Sequence, residues 1–324
     1  MRNDIDQQRW RQHAWLNRLQ SFALLAFLAA FLGLLGWLLS GIEGVVVLLA
    51  VGAVGVLLNP SLSPRWVMRL YGASPLGPVN APVLWRTVGH LAERAGLPVQ
   101  PELYYLPSSM LNAFAVGSRQ ASAIAVTDGL LRRLSGRELA GVLAHEISHI
   151  RSNDLWVMGL ADMFSRATSL LSLMGQFLLI LNLPLILFAT VSIDWFAILL
   201  LIFAPNLSAL AQLALSRTRE YDADLNAVRL TRDPDGLASA LARIERVQGG
   251  WLERIVLPGR RIPEPSLLRT HPDTADRIAR LMALKPAYAD VDGFGEAGSR
   301  FDPAHRLGDP VVRSPRWHIN GLWH

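Results

Sequence analysis

Cysteine is absent from the 324-residue chain. That excludes disulfide staples, thiolate-held metal sites and thiol nucleophiles. Lysine is nearly absent as well: Lys285 is the single one, so arginine carries the net charge of +5. No dense basic run with interleaved aromatics occurs, so nucleic acid is not expected as a partner. Charge itself is scarce. Charged residues make up 18% of the chain, against about 25% in soluble globular proteins. Hydrophobic residues reach 51%, and mean hydropathy is +0.28. These shortages direct attention to long apolar runs.

Such runs come in two pairs. Residues 22–39 carry no charge, close to the roughly 20 residues a helix needs to cross the hydrocarbon core. Residues 45–58 are shorter and reach span length only with 41–44 included. The turn 40–44 joins them, so 22–58 reads as a transmembrane hairpin. The first run exceeds the roughly 7–15 apolar residues of a signal peptide and a second follows at once, which points to an uncleaved anchor. In the second pair, 167–193 contains Asn182 and Pro184, 195–216 contains Pro205 and Asn206, and Asp194 separates them. Residues 167–216 read as a second hairpin, turning at Asp194 or nearer 182–184. Arg2, Arg9, Arg11, Arg18, Arg65, Arg69, Arg166, Arg217 and Arg219 flank the spans on one side, and the two turns carry no basic residue. The positive-inside rule then makes the tail 1–21, the segment 59–166 and everything after 216 cytoplasmic.

The polar segments read as follows. Residues 59–81, rich in Pro, Gly and Ser, suit a linker. Residues 82–95 have helical spacing through Leu84, Val88 and Leu91, with a stop at Gly96 and Pro98. Residues 102–106 and 113–126 suit strands, the latter turning at 117–120. Ser135 and Glu138 have the spacing of a capping box. They open a helix in which Leu139, Val142, Ile147 and Ile150 surround the polar His145, Glu146 and His149. Residues 217–230 and 235–247 read as helices. A short one starts near His271, with Thr270 as its cap, and 286–324 form an irregular tail. The fold class is mainly α with a small β-sheet, and the second hairpin divides a catalytic domain into parts 59–166 and 217–285.

His145, Glu146 and His149 form the pattern H-E-x-x-H. On a helix, positions i and i+4 share a face one turn apart. Two imidazoles so placed both reach one zinc ion at about 2.0–2.1 Å. Glu146 stands beside them, where a base accepts the proton of a metal-activated water. A catalytic zinc takes three protein ligands. Glu220 is the candidate third, and Asp224, one turn on, shares its face and is placed to bond the outer nitrogen of a ligand histidine. Spacing alone leaves Glu220 open between a ligand and a solvated charge at a helix start.

The segments 145–154 (HEISHIRSND), 111–117 (LNAFAVG), 216–228 (SRTREYDADLNAV) and 270–281 (THPDTADRIARL) together resemble the heat-shock protease HtpX family, membrane zinc peptidases related to the CAAX prenyl proteases. The resemblance implies a thermolysin-like zincin catalytic domain holding one Zn²⁺ per chain through His145, His149 and Glu220. It implies Asp224 as the partner of His145, and Glu146 as base. Asn112, Ala113 and Phe114 resemble the family's strand beside the cleft, where extended substrate pairs with the backbone. His271 matches the family's His-Pro position and is a candidate donor to the oxyanion, with Arg217 as another. Asp154 matches the pattern after the motif, in a structural role. The family's setting implies a bacterial inner membrane, an active site facing the cytoplasm, and unfolded or damaged membrane proteins as substrates. The competing reading is a non-proteolytic metal-binding scaffold or chaperone-like binder, which would need no Glu146. His90, His305, His318 and His324 lie in no ligand spacing and read as surface residues.

Overall fold

The computed structural model describes residues 6–58, 63–184, 188, 195–248 and 274–285. Helix α1 (Gln7–Leu58) is broken at Ser40 and Gly41, where Gly41 takes φ 60°, a conformation that costs a glycine nothing. The chain reverses there. A methyl group on Gly44 would collide with the Gly36 carbonyl oxygen, although residues eight apart in a straight helix are about 12 Å from each other. The first hairpin is therefore closed by two glycines in backbone contact, with Ser40 and Gly41 at its bend. Residues 7–21, read from sequence as a tail, form the opening turns of α1. They pack on the segments after residue 217: the Trp10 indole donates to the Leu225 carbonyl at 3.0 Å, and Arg9 Nη1 donates to the Ala283 carbonyl at 3.1 Å.

The linker expected over 59–81 has structure from residue 63 onward. It contains α2 (Pro64–Leu70) and β1 (Ser74–Leu76). Met68 anchors α2 by packing against Tyr104, Leu106 and Phe114 beneath one face of the sheet. Helix α3 (Pro82–Ala95) ends on Gly96 in the left-handed region. Strands β2 (Glu102–Leu106), β3 (Ala113–Gly117) and β4 (Ser122–Thr127) complete a sheet of order β1-β2-β4-β3. The β2–β4 pair is parallel; β1–β2 and β3–β4 are antiparallel. Among the described strands, β3 is thus an edge.

Short α4 (Asp128–Arg133) leads to α5 (Gly136–Ser152). The Ser135 hydroxyl caps α5 and Glu138 reaches back to the Ser135 amide, completing the capping box. Leu143, Ala144, Ile147 and Ile150 of α5 join Ala113, Ala115 and Ile124 of the sheet in one core. Asn153, at φ 53°, ends α5 and lets the chain turn at once into α6 (Asp154–Leu181).

Helix α7 (Trp195–Thr231) runs without interruption from its apolar half into the region read from sequence as a separate helix, 217–230. No stop signal lies between the halves, and Thr218 folds its hydroxyl onto the Ala214 carbonyl inside the helix. Helices α6 and α7 pack through small and polar groups. The Ser172 hydroxyl donates to the Leu201 carbonyl at 2.7 Å and the Ser208 hydroxyl to Ser165 Oγ at 2.9 Å. Such pairs satisfy polar groups that a hydrocarbon surrounding would leave bare. Helices α8 (Pro234–Gln248) and α9 (Thr274–Met282) cover α5 and α7. Among the described residues, three helices are long and apolar enough to cross a membrane: the 7–48 part of α1, α6 and α7. Phe22, Phe177 and Leu210 on their outer faces have no protein covering them. The chain is a membrane protein, mainly α with a small sheet.

Candidate metal centre

His145 and His149 lie one turn apart on α5, and their rings meet edge to face at 89°, centroids 4.7 Å apart. Each Nδ1 faces a carboxylate. His145 Nδ1 donates to Asp224 Oδ1 at 2.9 Å, and His149 Nδ1 donates to Asp154 Oδ2 at 2.7 Å. With Nδ1 so engaged, each Nε2 keeps its lone pair for a metal. The two Nε2 atoms are 3.1 Å apart. Glu220, carried by α7, places its oxygens 3.4 Å from His145 Nε2 and 3.5 Å from His149 Nε2. One ligand atom from each of the three residues falls within a common span of 4.8 Å.

The donor set suits a divalent transition metal. A tetrahedral ion with ligands at 2.0–2.1 Å has edges of about 3.3–3.4 Å, and the three separations bracket that length. Two imidazoles and one carboxylate are the ligands of an open catalytic site, which leaves a fourth position for water or substrate. Glu146 is also buried, on the same turn of α5.

Two arginines balance the carboxylates. Arg277 of α9 is buried and grips Asp224 with two nitrogens, at 2.6 and 2.7 Å. Its Nη1 lies 3.3 Å from Glu220. Burial works against the Arg277 charge, but Asp224, Glu220 and Glu146 more than reverse that and raise its pKa. In Asp224, burial favours the neutral acid, and Arg277 and His145 overcome it and hold the carboxyl low. Arg219, next to Glu220, pairs with Asp154, so the second carboxylate–imidazole contact is steadied in the same way. Burial also opposes charge on both histidines. Asp224 and Glu220 nonetheless raise His145, and Asp154 and Glu220 raise His149 further.

Of the residues singled out in the sequence, the structure brings together His145, Glu146, His149, Glu220 and Asp224. Ala113 faces α5 across the core. Phe114 turns the other way, its ring 5.1 Å from Tyr71 on the opposite side of the sheet, because alternate residues of a strand point to opposite faces. Asn112 precedes β3; its amide donates to the Thr127 hydroxyl and its carbonyl accepts from the Thr127 amide. Arg217 is exposed on α7, turned away from the buried Arg219 and Glu220. His271 and Thr270 lie outside the described residues, as do Asp194 and the tail 286–324. Sequence reading missed Arg277 altogether and gave Asp154 no contact with a ligand. Both lie within the recognised segments. Arg277, with Ile278 and Leu281 on a strongly two-sided helix, resembles an ordinary boundary charge until its partner 53 residues earlier is known.

A family model, peptidase family M48, matches residues 78–285. The stretch contains every residue of the metal centre. This chain belongs to peptidase family M48. The M48 chain is 37% identical over 295 residues to the protease HtpX homolog of Acaryochloris marina, covering 83% of this chain and 95% of the relative. It is 33% identical to the protease HtpX homolog of Campylobacter hominis, covering 83% and 99%. Among solved structures it is similar to that of S. mikatae Ste24p, at 22% identity and TM-score 0.43, covering 83% of this chain and 66% of the other. The chain is a membrane metalloprotease, and the HtpX resemblance read from four short segments extends over most of its length.

Proposed function

We propose that this M48 peptidase is a zinc endopeptidase of the bacterial inner membrane that cleaves unfolded or damaged membrane proteins on the cytoplasmic side. The observation that carries the reading is the near-equal spacing of the His145, His149 and Glu220 donor atoms, with a buried Glu146 beside them. His145, His149 and Glu220 would hold the ion. Zinc, when bound, supplies Lewis acidity, making a water acidic near neutral pH and drawing charge from a carbonyl oxygen. Glu146 takes the proton of the attacking water and passes it to the leaving amine. Asp224 and Asp154 fix the imidazole rings, and Arg277 and Arg219 fix those carboxylates.

The edge of the sheet supplies the substrate site. Thr127 donates to the Asn112 carbonyl, and pairing alternates along antiparallel strands. The pairs 112–127, 114–125 and 116–123 are therefore bonded to β4. Ala113 and Ala115, paired in register with Val126 and Ile124, direct their amides and carbonyls to the open edge. An extended substrate adds there as a further strand through Ala113 and Ala115, whereas Phe114 contributes packing.

The test is cleavage of an unfolded membrane-protein substrate by detergent-purified protein, wild type against Glu146→Gln, with and without stoichiometric zinc. Zinc-dependent cleavage by wild type, and a mutant that binds zinc without cleaving, is the expected result. Zinc binding without cleavage by either protein would favour a metal-binding scaffold, and a fully active Glu146→Gln would remove the assigned base.

A further inference from the structure

A second site lies away from the metal, where α1 passes from polar to apolar sequence. A cavity of about 430 Å³ opens between this stretch and Arg280 of α9, within the range of roughly 300–1,000 Å³ typical of small-molecule pockets. Its walls on α1 are His13, Asn17 and Gln20, with Leu16 and Leu19 beside them. Positions 13, 16, 17 and 20 have the i, i+3, i+4, i+7 spacing of one helix face. That face therefore borders the cavity, while Ala14 is buried against protein.

One buried polar group of this face lacks a partner, and one exposed cation at its rim is free to meet an anion. Asn17 is only 5% exposed, yet its Nδ2 has no hydrogen-bond partner. A buried amide left so is destabilising, and turning the side chain into the cavity would bring it to an acceptor oxygen there. Arg280 stacks on the Tyr221 ring, its guanidinium carbon 3.7 Å from the centroid, and has no carboxylate partner among the described residues. Stacking leaves the edges of the guanidinium open to an anion. The uncharged run that begins at residue 22 sets the expected level in the membrane. Trp15 and Phe22 are 63% and 71% exposed on the outside of α1. Trp15 sits just before the uncharged run, where the headgroup region meets the acyl chains and tryptophan concentrates.

We propose that this cavity binds the headgroup of an anionic glycerophospholipid. The phosphate meets Arg280, an ester carbonyl accepts from the Asn17 amide once that side chain turns into the cavity, and the acyl chains leave past Leu16 and Leu19 into the bilayer. Basic pockets beside transmembrane helices on the cytoplasmic side favour such lipids for the same electrostatic reason.

The test is native mass spectrometry of delipidated full-length protein in detergent, titrated with dioctanoyl-phosphatidylglycerol, dioctanoyl-phosphatidylcholine or inorganic phosphate. The expected result is one phosphatidylglycerol bound at least tenfold more tightly than phosphatidylcholine. Asn17→Leu and Arg280→Gln should each weaken it about tenfold, with thermal unfolding showing that both variants remain folded. Equal binding of the two lipids, or phosphatidylglycerol binding unchanged in both folded variants, would overturn the proposal. So would phosphate binding as tightly as the lipid, which would make the cavity a free-anion site. Should one variant fail to fold, the other decides.

Discussion

Each histidine of the metal centre is held by a carboxylate that an arginine holds in turn, so the centre depends on residues outside the ligand set. Losing such a partner typically costs 10–100-fold in metal affinity. Asp224→Asn and Asp154→Asn should each weaken zinc binding by about that factor in competition with a chromogenic chelator, with Glu146 untouched. Arg277→Met is expected to do more harm to stability. It leaves Asp224 buried without its cation, and breaking a buried pair costs about 3–5 kcal/mol. The double variant Arg277→Met/Asp224→Asn should regain part of the lost unfolding temperature while still binding zinc weakly. A double variant no more stable than Arg277→Met would show that the stranded Asp224 charge is not what destabilises it.

Helix α5 is fixed at its first turn, ten residues from the first ligand. Glu138 accepts from the Ser135 amide at 2.8 Å and from the Ser239 hydroxyl of α8 at 2.6 Å, and Arg243 lies 3.3 Å away. Glu138→Ala should lower stability by about 1–3 kcal/mol, since the cap and a buried bond are lost together, measurable by thermal unfolding of the purified protein. Burial pushes the Glu138 pKa up, but Ser239, Ser135 and Arg243 outweigh it and leave it below the ordinary value of 4.5. A depressed acid contributes stability above its unfolded pKa and loses it as pH falls through the folded one. Glu138→Gln should therefore flatten the fall in unfolding temperature between about pH 5 and pH 3.

How much was legible also varies by element. The capping box and the His-Glu-His face lie within one helix, so spacing alone reveals them. Glu220 needed the family resemblance, because its partners are 71 and 75 residues earlier in sequence and nothing local distinguishes it. The boundary placed at 216/217 followed the change from apolar to charged composition. A helix needs a cap, glycine or proline to stop, and none is there, so α7 continues and carries Glu220 on the same rod as its apolar half. Residues 7–21 read as a tail because their charges hide the face that docks Trp10 against Leu225.

At the scale of the whole molecule, the lack of cysteine makes orientation easy to measure. Glu43, at the bend of the first hairpin, and Arg94, at the end of α3, are both exposed. A single Glu43→Cys should react with a membrane-impermeant maleimide added outside inner-membrane spheroplasts, and Arg94→Cys only after the membrane is opened. The reverse pattern would place the metal on the other side.

The unbroken α7 also acts as a ruler. Its uncharged stretch ends at Ser216, four residues before Glu220, and a helix rises about 1.5 Å per residue. A metal held by Glu220 would thus sit less than about one nanometre along the rod from the end of the apolar stretch, with no loop to lengthen the gap. Inserting one alanine into the apolar half would turn Glu220 through about 100° relative to that half, an error no flexible joint could absorb. A blade held at so small a fixed height would, under the proposed function, reach chain that lies along the bilayer surface or is drawn out of it. Under the proposed function, a well-folded domain standing clear of the bilayer would offer it no strand to cut.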